Sequence, residues 1–417
     1  MSLSKRDKKI EKEAMKIFKE WPRTKIIFGK DTLKETGKYA KEFGENALIV
    51  IGGGSIKRFG YLDELTESLE AEGIIHSLYE GVEPNPSKNT VEDIADTFNK
   101  KKYDMTIALG GGSTMDAAKA ALILTGIGDN DITKYFGVNK VSEELNRISP
   151  CICIPTTSGT SSEITRYSNV TLPGKGIKKL ISDVAIHPHY AIVDPTLTIS
   201  CPKDLTLTVG LDTMTHSMEG YLNRVQDEGN EDINKRALLS LELVFKWLKI
   251  AVKEPENYTG RKMMSIACLL GGTVIGGKRF KGTAGPHMNS FSWADTIAHG
   301  KATGIMMPYY IAYYGKNPVV MKKLEPIADM LGVEKGENIG KNVAKSMLDW
   351  YEDMGFPIKI SDLKGWKPEY KEKAINDAAE NTMKLEAMPN PVPLDKVEET
   401  IGPILEAAID GNLSRLK

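Results

Sequence analysis

Asp212 and His216 stand four residues apart in Gly210-Leu211-Asp212-Thr213-Met214-Thr215-His216, with neither Gly nor Pro between them. On a helix both side chains leave the same face about one turn apart, a spacing that lets two donors share an ion. Two more histidines, His287 and His299, close the run Gly285-Pro286-His287 to Ala298-His299-Gly300. Three imidazoles and one carboxylate without a thiolate suit Fe(II) or Zn(II) better than Ca(II) or a structural Cys-rich zinc. Taken alone, an Asp-x-x-x-His pair is equally the pattern of a hydrogen-bonded pair on a helix surface, and the 287–299 spacing is unspecific. The metal reading therefore draws its weight from a cofactor site elsewhere in the chain.

That site is announced by glycine. The apolar run Met105–Leu109 passes directly into Gly110-Gly111-Gly112-Ser113-Thr114-Met115-Asp116-Ala117-Ala118-Lys119, a buried strand turning into a helix. Bare amides of such a turn, together with the positive end of a helix, bind phosphate, although three glycines also make an ordinary tight turn. A second turn, Gly52-Gly53-Gly54-Ser55-Ile56-Lys57-Arg58, follows the run Ala47–Ile51. Neither fits Gly-x-Gly-x-x-Gly, because Lys57 and Met115 stand at the third glycine position. Two such turns on one sheet can hold the two ends of a dinucleotide, the pyrophosphate at one and the adenosine ribose at the other. The turn at 52–58 carries Ser55, Lys57 and Arg58 but no acid, which favours NADP over NAD; a solvated helix start is the plainer reading of the two cations. A hydroxyl-rich segment, Pro155-Thr156-Thr157-Ser158-Gly159-Thr160-Ser161-Ser162-Glu163, ends another apolar run. It reads either as a polar cradle for diphosphate and nicotinamide or as a turn capping the next helix with Glu163 as partner.

The elements that must position these residues follow from periodicity. Residues 5–20 predict an amphipathic helix. Between about 22 and 200, β-branched runs at 25–28, 47–51, 74–79, 105–109, 151–155 and 191–193 alternate with helical segments near 31–43, 60–72, 88–101 and 114–124. Alternation of this kind predicts an α/β dinucleotide-binding domain with a mostly parallel sheet. After Asp194-Pro195 the strand signal stops, and 203–415 reads as successive helices of roughly 12 to 22 residues. The expected division is 1–198, dinucleotide-binding, and 199–417, an all-helical metal-binding domain.

With 55 basic and 56 acidic residues, the chain of 417 offers no field for nucleic acid or an anionic membrane. No apolar stretch approaches about 18 residues, so a membrane span is not expected. The start of the chain lacks the apolar core of a signal peptide. Cys151, Cys153, Cys201 and Cys268 are scattered in apolar surroundings and read as reduced thiols of a cytoplasmic protein.

Together these motifs resemble the iron-containing (group III) alcohol dehydrogenase family over about residues 25–410. The matching pieces are Pro84-Asn85-Pro86, Gly110–Lys119, Pro155–Glu163, Asp194-Pro195, Gly210–Tyr221, His299-Gly300 and Asn390-Pro391. The early Gly52-Gly53-Gly54-Ser55 looks like the NADP-using butanol dehydrogenase-like branch. The resemblance implies an N-terminal dinucleotide-binding domain, a helical domain, and a cleft between them that holds iron or zinc. It makes Asp212, His216 and His299 metal ligands, with Gly111, Gly112, Ser113 and Asp116 at the cofactor. Asn85, Thr156, Thr157 and Ser158 would lie near other parts of the cofactor, as would Gly53, Gly54, Ser55 and Lys57. Lys178, sixteen residues before Asp194, stands where similar proteins place a lysine on the cofactor ribose. The family commonly has its third metal histidine fourteen residues before the last, and another histidine four positions after it, near the nicotinamide. Counted back from His299, those positions hold Gly285 and Asn289. His287 is the expected ligand, on a backbone two residues shorter.

The implied chemistry is hydride transfer between NAD(P)(H) and a primary alcohol or aldehyde, with the metal on the substrate oxygen and no Asp or Glu base required. Solvent or a cofactor ribose hydroxyl would relay the proton. A homodimer is expected from the family. Two alternatives remain: a glycerol or glycerol-phosphate dehydrogenase of the same fold, and a non-catalytic nucleotide-binding protein whose altered 285–299 segment has lost its metal chemistry.

Overall fold

The computed structural model describes residues 2–141, 148–173, 177–224, 229–277, 279–294, 296–389 and 396–416, so the Asn390-Pro391 motif lies outside the described residues. Two compact units emerge: Met1–Pro202 with Pro255–Gly272, and Lys203–Glu254 with Thr273–Lys417. The expected break near 198 thus falls beside the observed one after Pro202. Residues 255–272, expected in the helical half, cluster instead with the first unit.

In the first unit the main strands are β1 (Lys25–Phe28), β2 (Asn46–Ile51), β3 (Ile75–Glu80), β4 (Met105–Gly110), β6 (Cys151–Pro155) and β9 (Tyr190–Val193). They form one sheet in the order β1-β9-β6-β4-β2-β3, every pairing parallel. The interior strands are mostly apolar because both faces of a parallel sheet are covered. All of β4 and β6 is buried, whereas the edge strand β3 leaves Ile75 and Leu78 exposed. The helices of this unit are α1 (Lys5–Lys19), α2 (Thr36–Ala40), α3 (Ser55–Arg58), α4 (Tyr61–Ala71), α5 (Lys88–Lys101), α6 (Gly112–Ile127) and α9 (Tyr258–Ile275), the last continuing just past the unit's boundary. A small second sheet joins β5 (Gly137–Val138), β8 (Ile177–Ser182) and β7 (Tyr167–Leu172), with β7 and β8 antiparallel. Strand β7 buries alternate residues, Ser168 and Val170, so it carries no long apolar run to announce it.

The second unit contains helices and no strand among the described residues: α7 (Lys203–Leu222), α8 (Glu231–Lys253), α10 (Gly285–Phe291), α11 (His299–Tyr314), α12 (Pro318–Leu331), α13 (Ile339–Asp353), α14 (Tyr370–Glu380), α15 (Thr382–Ala387) and α16 (Val397–Asp410). Helix α7 is buried almost all round from Thr206 to Leu222, the burial expected of a helix at the centre of its unit. Its hydroxyls survive there by donating to backbone carbonyls one turn back: Thr208 to Asp204, Thr213 to Val209, Thr215 to Leu211 and Ser217 to Thr213. No helix is long and apolar enough to cross a membrane among the described residues.

Candidate metal centre and cofactor site

Asp212 and His216 lie one turn apart on α7, as their spacing predicts, and His287 and His299 join them from α10 and α11. The Nε2 atoms of all three histidines surround one oxygen, Asp212 Oδ1, at 3.7 Å (His216), 3.6 Å (His287) and 3.7 Å (His299). The His216 and His287 rings stack with centroids 4.8 Å apart, and the His299 ring meets His287 at 5.1 Å. Asp212 Oδ1 and His287 Nε2 are buried without a hydrogen-bond partner. Buried polar atoms are rarely left this way, and orphans that converge fit a cation. Asp212, His216 and His287 hold their donor atoms within 4.8 Å of one another.

Electrostatics match that fit. Burial pushes the Asp212 carboxyl upward, but His216, His299 and His287 outweigh it and hold the group below the usual carboxylate range. Burial lowers His216 to about 4 despite Asp212, so its ring is neutral and able to ligate at ordinary pH. His287 is pushed down by burial but drawn up further by Glu219 and Asp212.

Glu219 is the functional neighbour that sequence reasoning missed. It lies seven residues after Asp212, two turns along the same face, and that period was the available signal. His287 Nδ1 donates to Glu219 Oε2, while Glu219 Oε1 accepts from the Ala284 amide at 2.8 Å and the His287 amide at 3.4 Å. A carboxylate on the far nitrogen fixes the tautomer and leaves Nε2 with its lone pair toward the cluster. His299 is oriented likewise, Nδ1 lying 3.1 Å from Ser290 Oγ. Its side chain is 24% exposed against 4–8% for the other three, so the cluster opens on the His299 side.

Gly300 explains why a glycine follows the last histidine. A Cβ there would sit 2.0 Å from the Thr208 carbonyl oxygen and 3.1 Å from Asp212 Cβ. Helices α11 and α7 therefore touch backbone to backbone beside the Asp212 cluster. His287 lies in the first turn of α10. Counting forward along that helix from His287, the position one turn on is Phe291, not Asn289. The Phe291 ring rests 6.2 Å from His299, and Asn289 is buried with Tyr310 donating to its Oδ1.

In the first unit the glycine turns sit at the carboxyl ends of neighbouring strands β2, β4 and β6, where doubly wound sheets bind ligands. The Thr156 amide donates to Gly110 O at 2.9 Å, and a Cβ on Gly52 would meet Thr114 Oγ1 at 3.2 Å. Gly112 is packed, since a Cβ would lie 2.6 Å from Thr160; Gly53 and Gly54 face open space, and Gly111 has only Thr157 nearby, at 3.6 Å. Ser113 Oγ accepts from the Asn85 amide at 3.2 Å, and Lys178 Nζ donates to Asn85 Oδ1 at 3.3 Å. Residues 85, 113 and 178, far apart in sequence, thus converge.

Other expected cofactor residues are differently engaged. Asp116 accepts from Ser162 Oγ at 2.6 Å and from the Asn169 amide at 2.9 Å, which ties α6 to the hydroxyl-rich turn and to β7. Ser158 Oγ meets Ser265 Oγ of α9 at 3.0 Å. Glu163 lies within a short 3₁₀ turn, Ser162–Ile164, whose start has no side-chain cap. Lys57, from the turn that lacks an acid, finds one across the sheet by pairing with Glu80 at the end of β3.

A parallel sheet with glycine-rich turns at its strand ends and a His₃Asp cluster on buried helices fit the architecture of a metal-dependent nicotinamide oxidoreductase. The model of the iron-containing alcohol dehydrogenase matches residues 22–195, and that of the Fe-containing alcohol dehydrogenase family C-terminal region matches 206–409. The chain belongs to the iron-containing alcohol dehydrogenase family, whose members carry out NAD(P)-linked alcohol oxidoreduction. Among curated relatives, the NADPH-dependent butanol dehydrogenase of Clostridium saccharobutylicum is 30% identical over 367 residues, 85% of this chain and 90% of that one. Alcohol dehydrogenase 4 of Schizosaccharomyces pombe is 32% identical over 335 residues, 80% and 76% respectively. The crystal structure of NADH-dependent butanol dehydrogenase A from Thermotoga maritima superposes with a TM-score of 0.79 at 26% identity, covering 93% of this chain and 97% of that one.

Proposed function

We propose that Asp212, His216, His287 and His299 together hold one Fe(II) or Zn(II), and that the reaction interconverts a primary alcohol and its aldehyde with NADP(H) preferred over NAD(H). The convergence of three imidazole nitrogens on the orphaned Asp212 Oδ1 carries this reading. A divalent ion there supplies Lewis acidity, polarising the substrate oxygen so that no carboxylate base is needed. Asp212 brings the anionic donor, Glu219 holds His287 in the ligating tautomer, and His299 marks the side from which substrate enters. Gly111, Gly112, Ser113, Thr156 and Thr157 bind the diphosphate, Asn85 and Lys178 its ribose, and Asp116 and Ser158 shape the turns around them. Gly53, Gly54, Ser55 and Lys57 receive the adenosine ribose and its 2′-phosphate. With Phe291 where a relay histidine is common, the proton leaves through solvent or a cofactor hydroxyl. A cytoplasmic homodimer completes the proposal.

Metal analysis of protein purified without chelator, joined to NADPH and NADH rates on a short aldehyde panel, tests this. About one Fe or Zn per chain with NADPH-dependent turnover is expected. Protein that binds neither metal and reduces no aldehyde after Fe(II) or Zn(II) is added would return the reading to a non-catalytic nucleotide binder.

A further inference from the structure

Among the described residues three lysines are deeply buried, and they are held in different ways. Lys119 donates to the carbonyls of Ser162, Thr165 and Tyr167 and lies 4.0 Å from Asp116. Lys281 donates to Tyr221 O at 3.2 Å and Asn234 Oδ1 at 2.9 Å. Lys384, at the start of α15, differs. Its ammonium has one partner residue, Thr283, through the carbonyl at 3.1 Å and the hydroxyl at 2.7 Å, and no ion pair among the described residues. A buried ammonium without a carboxylate is costly, and chains retain one where it has work to do.

Its location says what work. The ammonium sits over the Phe291 ring, 6.0 Å from the centroid, and Phe291 in turn lies against His299, the ligand on the open side of the cluster. It acts electrostatically on both Glu219 and His216. Glu219 favours the charged lysine but makes no ion pair with it, its oxygens being hydrogen-bonded to His287 and the Ala284 amide. With a divalent ion in place, Asp212 and Glu219 balance that ion, and Lys384 remains as an uncompensated positive charge beside the substrate's approach.

We propose that Lys384 is a specificity-determining residue that pairs with an anionic group carried by the substrate, so that the preferred aldehyde bears a carboxylate or a similar oxyanion at its far end. This rests on the metal reading above. A neutral aldehyde leaves the ammonium unpaired, while an ω-carboxylated one exchanges hydration for a charge-assisted hydrogen bond in a dry site.

The test compares wild type with Lys384→Met and Lys384→Arg on 4-oxobutanoate and 5-oxopentanoate against butanal and pentanal. The expected result is a wild-type preference for the carboxylated aldehydes. The kcat/KM ratio of anionic over neutral substrate should fall by on the order of tenfold to a hundredfold in Lys384→Met, mostly through KM, and recover in part in Lys384→Arg. Equal losses on both classes, or no wild-type preference, would overturn the proposal. A second readout needs no metal: 4-hydroxybutanoate should raise the Tm of chelator-stripped wild type and leave Lys384→Met unmoved. Without ligand, Lys384→Met should melt no lower than wild type, since an unpaired buried charge is removed; a large fall would mark the lysine as structural and end the proposal. Failure of the underlying reading registers separately, as absence of metal in every variant.

Discussion

The two regions proposed to hold cofactor and metal are built from different materials. The cofactor turns are largely backbone: glycines, amides and short hydroxyls arranged by consecutive residues at the ends of β2, β4 and β6. The metal cluster is made of side chains delivered by three helices, with the ligands spread over 88 positions from Asp212 to His299. A backbone site tolerates change in any one side chain because no single group carries the binding. A side-chain site depends on each donor and on whatever brings the helices together.

The sharpest way to break that contrast is to remove a ligand. Asp212→Ala or His287→Ala should leave the protein folded yet without bound iron or zinc, with turnover below about one per cent of wild type, given that even partners behind the ligands cost tenfold to hundredfold. Metal content by mass spectrometry alongside aldehyde reduction checks it. Near-normal activity with an empty cluster would mean that the chemistry lies elsewhere.

Gly300→Ala probes the same site through backbone alone. The added methyl meets the Thr208 carbonyl, which cannot move without bending α7, so α11 must retreat and take His299 with it. The expectation is a loss of about 1–3 kcal/mol in stability together with weaker metal retention, measured by thermal melting and chelator competition. Unchanged metal affinity in this variant would show that His299 contributes little to holding the ion.

How much of this was legible in the sequence follows from the same contrast. The six strands of the parallel sheet and the glycine turns lie in consecutive residues, so apolar runs and turn chemistry reveal them directly. Asp212 and His216 are legible as one helical period, and His287 as the right residue type nearby. Other features were hidden because they depend on which helices touch. Glu219 gains its meaning only from His287 arriving opposite it, and Phe291 from its ring meeting His299. The acid facing Lys57 was invisible for the same reason, since Glu80 belongs to the next strand over. The strands β7 and β8 went unread because a half-buried hairpin has little apolar signal. The move of 255–272 into the first unit is likewise a matter of packing, with Ser265 and Cys268 of α9 meeting the hydroxyl-rich turn.

The Lys57–Glu80 pair sharpens the comparison on the cofactor side. Both side chains are about half exposed, so the pair is weak and a bound 2′-phosphate can compete for the lysine. Lys57→Ala should lower kcat/KM for NADPH by roughly fivefold with little effect on NADH, whereas Glu80→Ala should move the ratio the other way. Steady-state rates with both cofactors decide this. A change shared equally by the two would place Lys57 away from the ribose.

The smallest expected effect concerns Glu163, at the end of the hydroxyl-rich turn. Burial raises its carboxyl from the ordinary 4.5 to about 7, a rise that its own backbone amide and Lys119 only partly offset. Below pH 4.5 both folded and unfolded chains carry the proton, and the group is neutral with respect to folding. Between 4.5 and 7 the folded chain holds a proton that the unfolded chain has lost, so stability declines as pH rises through this window and then levels off. Glu163→Gln keeps the shape and removes the titration. Its Tm should match wild type near pH 4 and exceed it by a few degrees at pH 8. Calorimetry at the two pH values separates this from a structural role for the carboxylate, which would make the glutamine variant less stable at pH 8. Because Glu163 lies in the backbone-built half, neither result should alter metal content, and a loss of metal in this variant would show that the two regions are not independent.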